Sequence, residues 1–131
     1  MDDSKINYLY KILPSSHVLP PLSSSETPIT LTILDKKDGF IHLSNSIQVL
    51  QTAIKFFGNE DEILVLKIPY KKGIKENIRW EFPPGTVQEY FPHLYGDLLR
   101  KYVINIVKVK NLRQDDNTIE GFEWPEGWLE M

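Results

Sequence analysis

Four residues in this chain have the types and settings for chemistry: His42 in "DGFIHLS" (38–44), His93 in "FPHLYGDL" (91–98), and Arg79 with Glu81 in "IRWEF" (78–82). Strand alternation puts Phe40, His42 and Ser44 on one face and the apolar pair Ile41 and Leu43 on the core side, so His42 is turned away from the core. His93 follows a proline that fixes the preceding backbone and precedes Tyr95-Gly96, where a glycine lets a ligand or another segment come close. The competing role for each ring is structural: a semi-buried imidazole bonded to a carbonyl or to Ser44, or a capped member of an aromatic turn. Arg79 and Glu81 share a strand face, so the guanidinium can hold a phosphate beside the carboxylate. Their structural role would be an exposed ion pair worth less than about 1 kcal/mol. His42, His93 and Glu81 are ligand types for a metal, but neither an H-E-x-x-H nor a tight carboxylate cluster accompanies them, and no metal is expected. The chain has no cysteine, which excludes disulfides, thiolate zinc sites and cysteine nucleophiles. Without a G-x-S-x-G elbow, Ser44 is not read as a hydrolase nucleophile.

These residues need elements to position them. "INYLYKIL" (6–13) reads as a strand ending at Pro14, and the Pro/Ser-rich stretch 14–28 as a loop or flap. The next strand runs through "ITLTIL" or starts at "DGFIHLS", with Asp38-Gly39 as its turn. "SNSIQVLQTAIKFFG" has Ile47, Leu50, Ile54 and Phe57 on one stripe, a capping box from Asn45 to Gln48 and a stop at Gly58, so it is a helix. "ILVLKI" (63–68) is apolar on both faces and belongs in the middle of a packed sheet. "YKKGIKEN" is a basic loop, and "IRWEF" alternates Ile78, Trp80 and Phe82 against Arg79 and Glu81 before Pro83-Pro84-Gly85 closes it. "YVINIVKVK" (102–110) is a late strand, and an aromatic tail follows. The order fits a mixed α+β fold in a single domain, 1–131. The expected core is Ile41, Leu43, Leu50, Ile54, Leu64, Leu66, Trp80 and Val103.

Composition bounds the partners. The 131 residues are 41% hydrophobic and 25% charged, with a formal net charge of −3, which argues against duplex DNA. The acidic N-terminus has no apolar signal core and no stretch approaches a membrane span, so no membrane association is expected and the default location is cytoplasmic.

"GFIHLS", then Gln48, "RWE" and "FPHLYG" resemble, in this order, the signature of the small domain-of-unknown-function family numbered 952, over about residues 6–110. Asp97 stands where that pattern commonly has proline, and the segment 14–37 is longer than usual. The resemblance implies an ADP-ribosyltransferase-like fold: small split β-sheets with flanking helices and a nucleotide cleft between them. It also implies a ligand, NAD as a substrate or another ADP-ribose-type nucleotide, whose ribosyl unit is transferred or hydrolysed. Such cleavage passes through an oxocarbenium-like state that a carboxylate stabilises. Glu81 is the first candidate and Glu89 the second. His42 is similar to the strand histidine that contacts a ribose hydroxyl, and His93 completes the catalytic set. Ser44, Gln48, Arg79 and Tyr95 are the binding candidates: hydroxyl contacts for Ser44 and Gln48, phosphate for Arg79, and ring stacking for Tyr95 or Tyr90. Removal of an RNA 2′-phosphate is the weaker alternative within that fold, since only Arg79, Arg100 and Arg113 are present, and the lysines at 67, 71, 72 and 75 read as a solvated loop.

Two functions remain, a ribosyl-transferring enzyme and a non-catalytic module that uses the same cleft to bind a small molecule or peptide. The two histidines are expected to line one concavity in either case. Phe122, Trp124 and Trp128 make the tail 111–131 too aromatic to hang free, so it is expected to dock on the body or to mediate self-association with a second copy.

Overall fold

In the computed structural model, which describes residues 2–85, 87–114 and 121–131, the strands form two antiparallel sheets. The larger has the order β1 (Tyr8–Pro14), β3 (Glu62–Pro69), β6 (Asn105–Asn111), β7 (Phe122–Glu123). The smaller has the order β2 (Ile41–His42), β5 (Phe91–Leu94), β4 (Ile78–Glu81). Two α-helices, α1 (Ile33–Asp38) and α2 (Gln48–Phe57), complete the α+β domain.

β3 sits between β1 and β6, as its doubly apolar sequence requires, and each of its faces meets a core. Leu66 and Ile68, with Leu9 and Leu13 of β1, pack toward Ile41, Leu43, Leu94 and the partly buried Ile78 and Trp80 of the small sheet. Ile63 and Val65, with Tyr10, Ile12 and Val109, pack against Val49 and Ala53 of α2 and against Phe122, Trp124 and Trp128 of the tail. The tail therefore docks on the body. Lys67, buried in that second core, holds it by donating to the Trp128 carbonyl at 2.7 Å and to the Glu130 carboxylate. Residues 115–120 of the tail lie outside the described residues.

The second strand is the later of the two readings, β2 within "DGFIHLS"; "ITLTIL" is not a strand, since residues 33–38 form α1, where Thr32 accepts from the Asp35 N–H as an N-cap and Gly39, at φ 81°, stops the helix in the left-handed region. Asp38-Gly39 is therefore a helix end, not a strand turn. The apolar stripe of α2 is rotated outward. Val49 and Ala53 face the sheet, while Ile47 and Leu50 are exposed, since small side chains let the helix lie close to β1. The capping box does form, with the Gln48 N–H donating to Asn45 Oδ1 at 2.8 Å and the Asn45 N–H to Gln48 Oε1 at 3.1 Å. Of the expected core, Ile41, Leu43, Leu66 and Val103 are buried; Ile54, Leu64 and Trp80 are half-buried, and Leu50 is exposed. "FPHL", to which the sequence assigned no element, is the central strand of the small sheet, so the competing role of His93 as a member of an aromatic turn does not hold.

Proline in a central strand is unusual, and here it has a consequence. The Leu43 N–H donates to the Pro92 carbonyl at 3.1 Å, but Pro92 has no N–H to return. The β2 ladder ends there, and the chain crosses to the other sheet, where Ser44 and Tyr10 exchange N–H···O bonds of 2.8 and 3.0 Å.

Candidate functional site

Alternation on the small sheet works as the sequence suggests. His42 stands directly opposite His93 across β2 and β5, and Arg79 opposite His93 across β5 and β4. Arg79, Glu81, His93 and His42 thus share one face, and Ile78, Trp80 and Leu94 turn to the core. Phe40 and Tyr95 extend this face. The Phe40 ring stacks on His93 with centroids 4.1 Å apart, and lies 4.6 Å from His42 and 5.3 Å from Tyr95. The two imidazoles meet edge to face at 5.4 Å.

Glu81 organises one half of the cluster. Its Oε1 accepts from His93 Nδ1 at 2.8 Å and from the Tyr95 hydroxyl. A carboxylate can only accept, so Nδ1 carries the proton and Nε2 of the neutral ring is left as an acceptor. Burial, which is nearly complete for His93 at 1% exposure, holds its pKa below the ordinary histidine range despite Glu81. For Glu81 burial pushes upward, but the bonds from Tyr95 and His93 outweigh it and keep the carboxyl below its ordinary value. Tyr95 is raised, chiefly by its bond to Glu81. Among the described residues Oε2 of Glu81 receives no hydrogen bond, and the side chain is 35% exposed.

The second half is built from α1, which the sequence reading missed. His42 Nδ1 lies 2.7 Å from Asp35 Oδ1 and its Nε2 2.9 Å from Asp38 Oδ2. The ring can donate at both ends only when doubly protonated. Asp35 also accepts from the His42 backbone N–H at 3.1 Å and pairs with Lys11 Nζ at 2.7 Å. Burial pushes the Asp35 carboxyl up, but His42 and Lys11 together hold it down at about 2. Burial also lowers Lys11, more than Asp35 raises it. The available signals were a lysine inside the apolar strand "YLYKILP" and the spacing of four between Asp38 and His42.

The other candidates are distributed differently. Arg79 is exposed and lies over the Tyr95 ring, 4.5 Å from its centroid. Ser44 is buried at the crossing between the sheets. Gln48 caps α2 and donates to the Tyr90 carbonyl at 2.7 Å and to Glu89 at 3.2 Å, which ties the helix to the approach of β5. Among the described residues neither side chain hydrogen-bonds to His42, His93 or Glu81. Tyr90 stacks on Phe82 at 4.5 Å beside that tie. Two concavities of about 210 and 190 Å³ lie elsewhere, at Asp2, Asn45 and Met131 and at Lys71, Lys101 and Tyr102. Among the described residues no three of His, Cys, Asp and Glu are arranged to hold a metal ion, and no helix is long and apolar enough to cross a membrane.

An α+β domain with two antiparallel sheets and a histidine–carboxylate cluster on the outer face of the smaller one is the class that these observations define. The chain belongs to the family described as Protein of unknown function (DUF952), whose family model matches residues 23–106. It is similar to protein CC0527 from Caulobacter crescentus. That protein's crystal structure superposes with a TM-score of 0.64 at 26% identity, over 86% of this chain and 99% of the other. Its solution NMR structure gives 0.63 at 28% identity, over 79% and 85%. No curated protein matches the chain.

Proposed function

We propose that the protein binds an ADP-ribose-containing nucleotide, with NAD as the substrate, against the face formed by Phe40, His42, Glu81, His93 and Tyr95, and transfers or hydrolyses its ribosyl unit. The observation that carries this reading is Glu81: one oxygen is fixed by His93 and Tyr95, while the other is without a donor on a partly exposed side chain. An ionised, oriented carboxylate suits a positive charge that develops at an anomeric carbon. In the reaction the bond from C1′ to nicotinamide breaks, its electron pair neutralises the pyridinium ring, and water or another hydroxyl adds to C1′ and loses its proton. The Arg79 guanidinium, without a carboxylate partner among the described residues, is suited to a phosphate. The nucleotide would lie on the outer face of the smaller sheet and not between the sheets, where Leu66, Ile68, Ile41 and Leu94 fill the space.

One observation favours a second reading, a binding module without turnover. Phe40 lies flat on His93, and the ligand face is a packed aromatic surface instead of an open cleft. Such a surface can capture a small planar ring.

The deciding experiment follows nicotinamide release from NAD by chromatography and NAD or ADP-ribose binding by calorimetry. Wild-type protein should release nicotinamide, and Glu81→Gln should bind within a few-fold while losing roughly 10²-fold in turnover. Binding without turnover, unchanged by Glu81→Gln, selects the module. Binding of neither ligand at saturating concentration overturns both.

A further inference from the structure

A second surface, which shares no lining residue with the histidine cluster, combines charge with an open strand edge. Three lysines, Lys71, Lys72 and Lys101, converge with Tyr102 and Ile104 on the concavity of about 190 Å³ at the start of β6, in a chain whose net charge is −3. Lys101 pairs with Glu26 at 2.7 Å, but both side chains are largely solvated, so that pair is easily exchanged. Ile104 is 54% exposed beside them.

β6 leads out of this concavity with one side unpaired. β7 covers only Lys110 and Asn111. The Asn111 N–H donates to the Asp61 carbonyl, so with the two-residue period the odd-numbered residues face β3 and Ile106 and Lys108 turn their N–H and C=O groups outward. Among the described residues these groups have no strand partner. A row of free backbone donors and acceptors recognises another extended backbone.

We infer that this edge and its basic concavity bind an extended acidic peptide segment of a partner protein, added as a strand beside β6 with its carboxylates toward Lys71, Lys72 and Lys101. Single-stranded RNA fits less well. Tyr102 is the one aromatic ring lining the concavity, and the Lys101 ammonium already lies over it, 5.7 Å from its centroid.

The test uses fluorescence anisotropy on the full chain with three labelled probes: an octapeptide alternating Glu and Val, the same peptide N-methylated at alternate residues, and an eight-nucleotide RNA. The acidic peptide should bind with a Kd below about 1 mM, and more weakly as salt is raised. N-methylation, which removes strand bonding, should weaken it about tenfold or more, as should Lys71→Glu with Lys72→Glu. Both lysines are exposed, and circular dichroism verifies that the double variant keeps its fold. Absence of binding by the acidic peptide, equal binding of the N-methylated peptide, insensitivity to the charge reversal, or tighter binding of the RNA would each overturn the inference.

Discussion

Replacing Asp35 with asparagine removes a negative charge from a place that leaves its partner no alternative. Asp35 is 2% exposed and answers the Lys11 ammonium at 2.7 Å, the His42 ring at 2.7 Å and the His42 backbone N–H at 3.1 Å. Lys11 is buried too, at 6% exposure, so Asp35→Asn strands an ammonium in the core between the sheets. Breaking a buried pair on one side costs about 3–5 kcal/mol, a large part of the roughly 5–15 kcal/mol that holds a domain folded. With a urea slope of about 2 kcal/mol per M, the unfolding midpoint should fall by about 1.5–2.5 M. The two partners report the pair with opposite signs: Asp35 gains from it, whereas Lys11 is lowered by burial. Replacing a whole buried ion pair by uncharged groups is often near neutral, so Lys11→Met in the Asp35→Asn background should recover most of the loss. Asp35 alone predicts a pH signature. A carboxyl at about 2 instead of 3.8 contributes roughly 2 kcal/mol that is complete above pH ~4 and disappears as pH falls toward ~2. A loss under about 1 kcal/mol for Asp35→Asn, or no recovery in the double variant, would refute the reasoning.

Three further outcomes are expected. Truncation before Phe122 should lower the melting temperature by at least about 10 °C, since it uncovers the core face that holds Val65 and Ala53; calorimetry giving an unchanged transition would contradict the docking. Gly39→Ala should cost about 1 kcal/mol through its positive φ alone, because a Cβ there meets nothing within 4 Å, and Gly39→Asn should cost less in urea titrations. His93 binds its proton less readily in the folded chain than at the ordinary 6.5, so stability should decline as pH drops below about 6.5. His93→Gln should flatten the dependence between pH 7 and 5 in chemical denaturation.

Periodicity made the site face legible. The alternation of "GFIHLS" and "IRWE" sufficed to put Phe40, His42, Arg79 and Glu81 on one side, and "ILVLKI" marked the central strand. It failed where a tertiary contact overrode local pattern. "FPHL" contains a proline that discourages a central strand, and only the departure of β2 toward β1 makes it acceptable. Asp35 and Asp38 were hidden because "ITLTIL" is rich in β-branched residues, while the capping bond of Thr32 and the left-handed Gly39 decide for a six-residue helix. The outward turn of Ile47 and Leu50 follows from which face can approach the sheet most closely, a matter of side-chain size that an apolar count does not weigh.

The crossing at Leu43 and Ser44 sets a rule for length variation. Within four residues the chain serves β5 through Ile41 and His42, meets Pro92 through Leu43 and pairs with Tyr10 through Ser44. One residue inserted or deleted there would reverse the parity of everything on one side, sending His42 into the core or Ile41 into water. Among the described residues, segment 15–24 pairs with no strand and carries no such phase. Natural or engineered changes in chain length can accumulate there, whereas the stretch from Phe40 to Gln48 can vary in residue type but not in residue count.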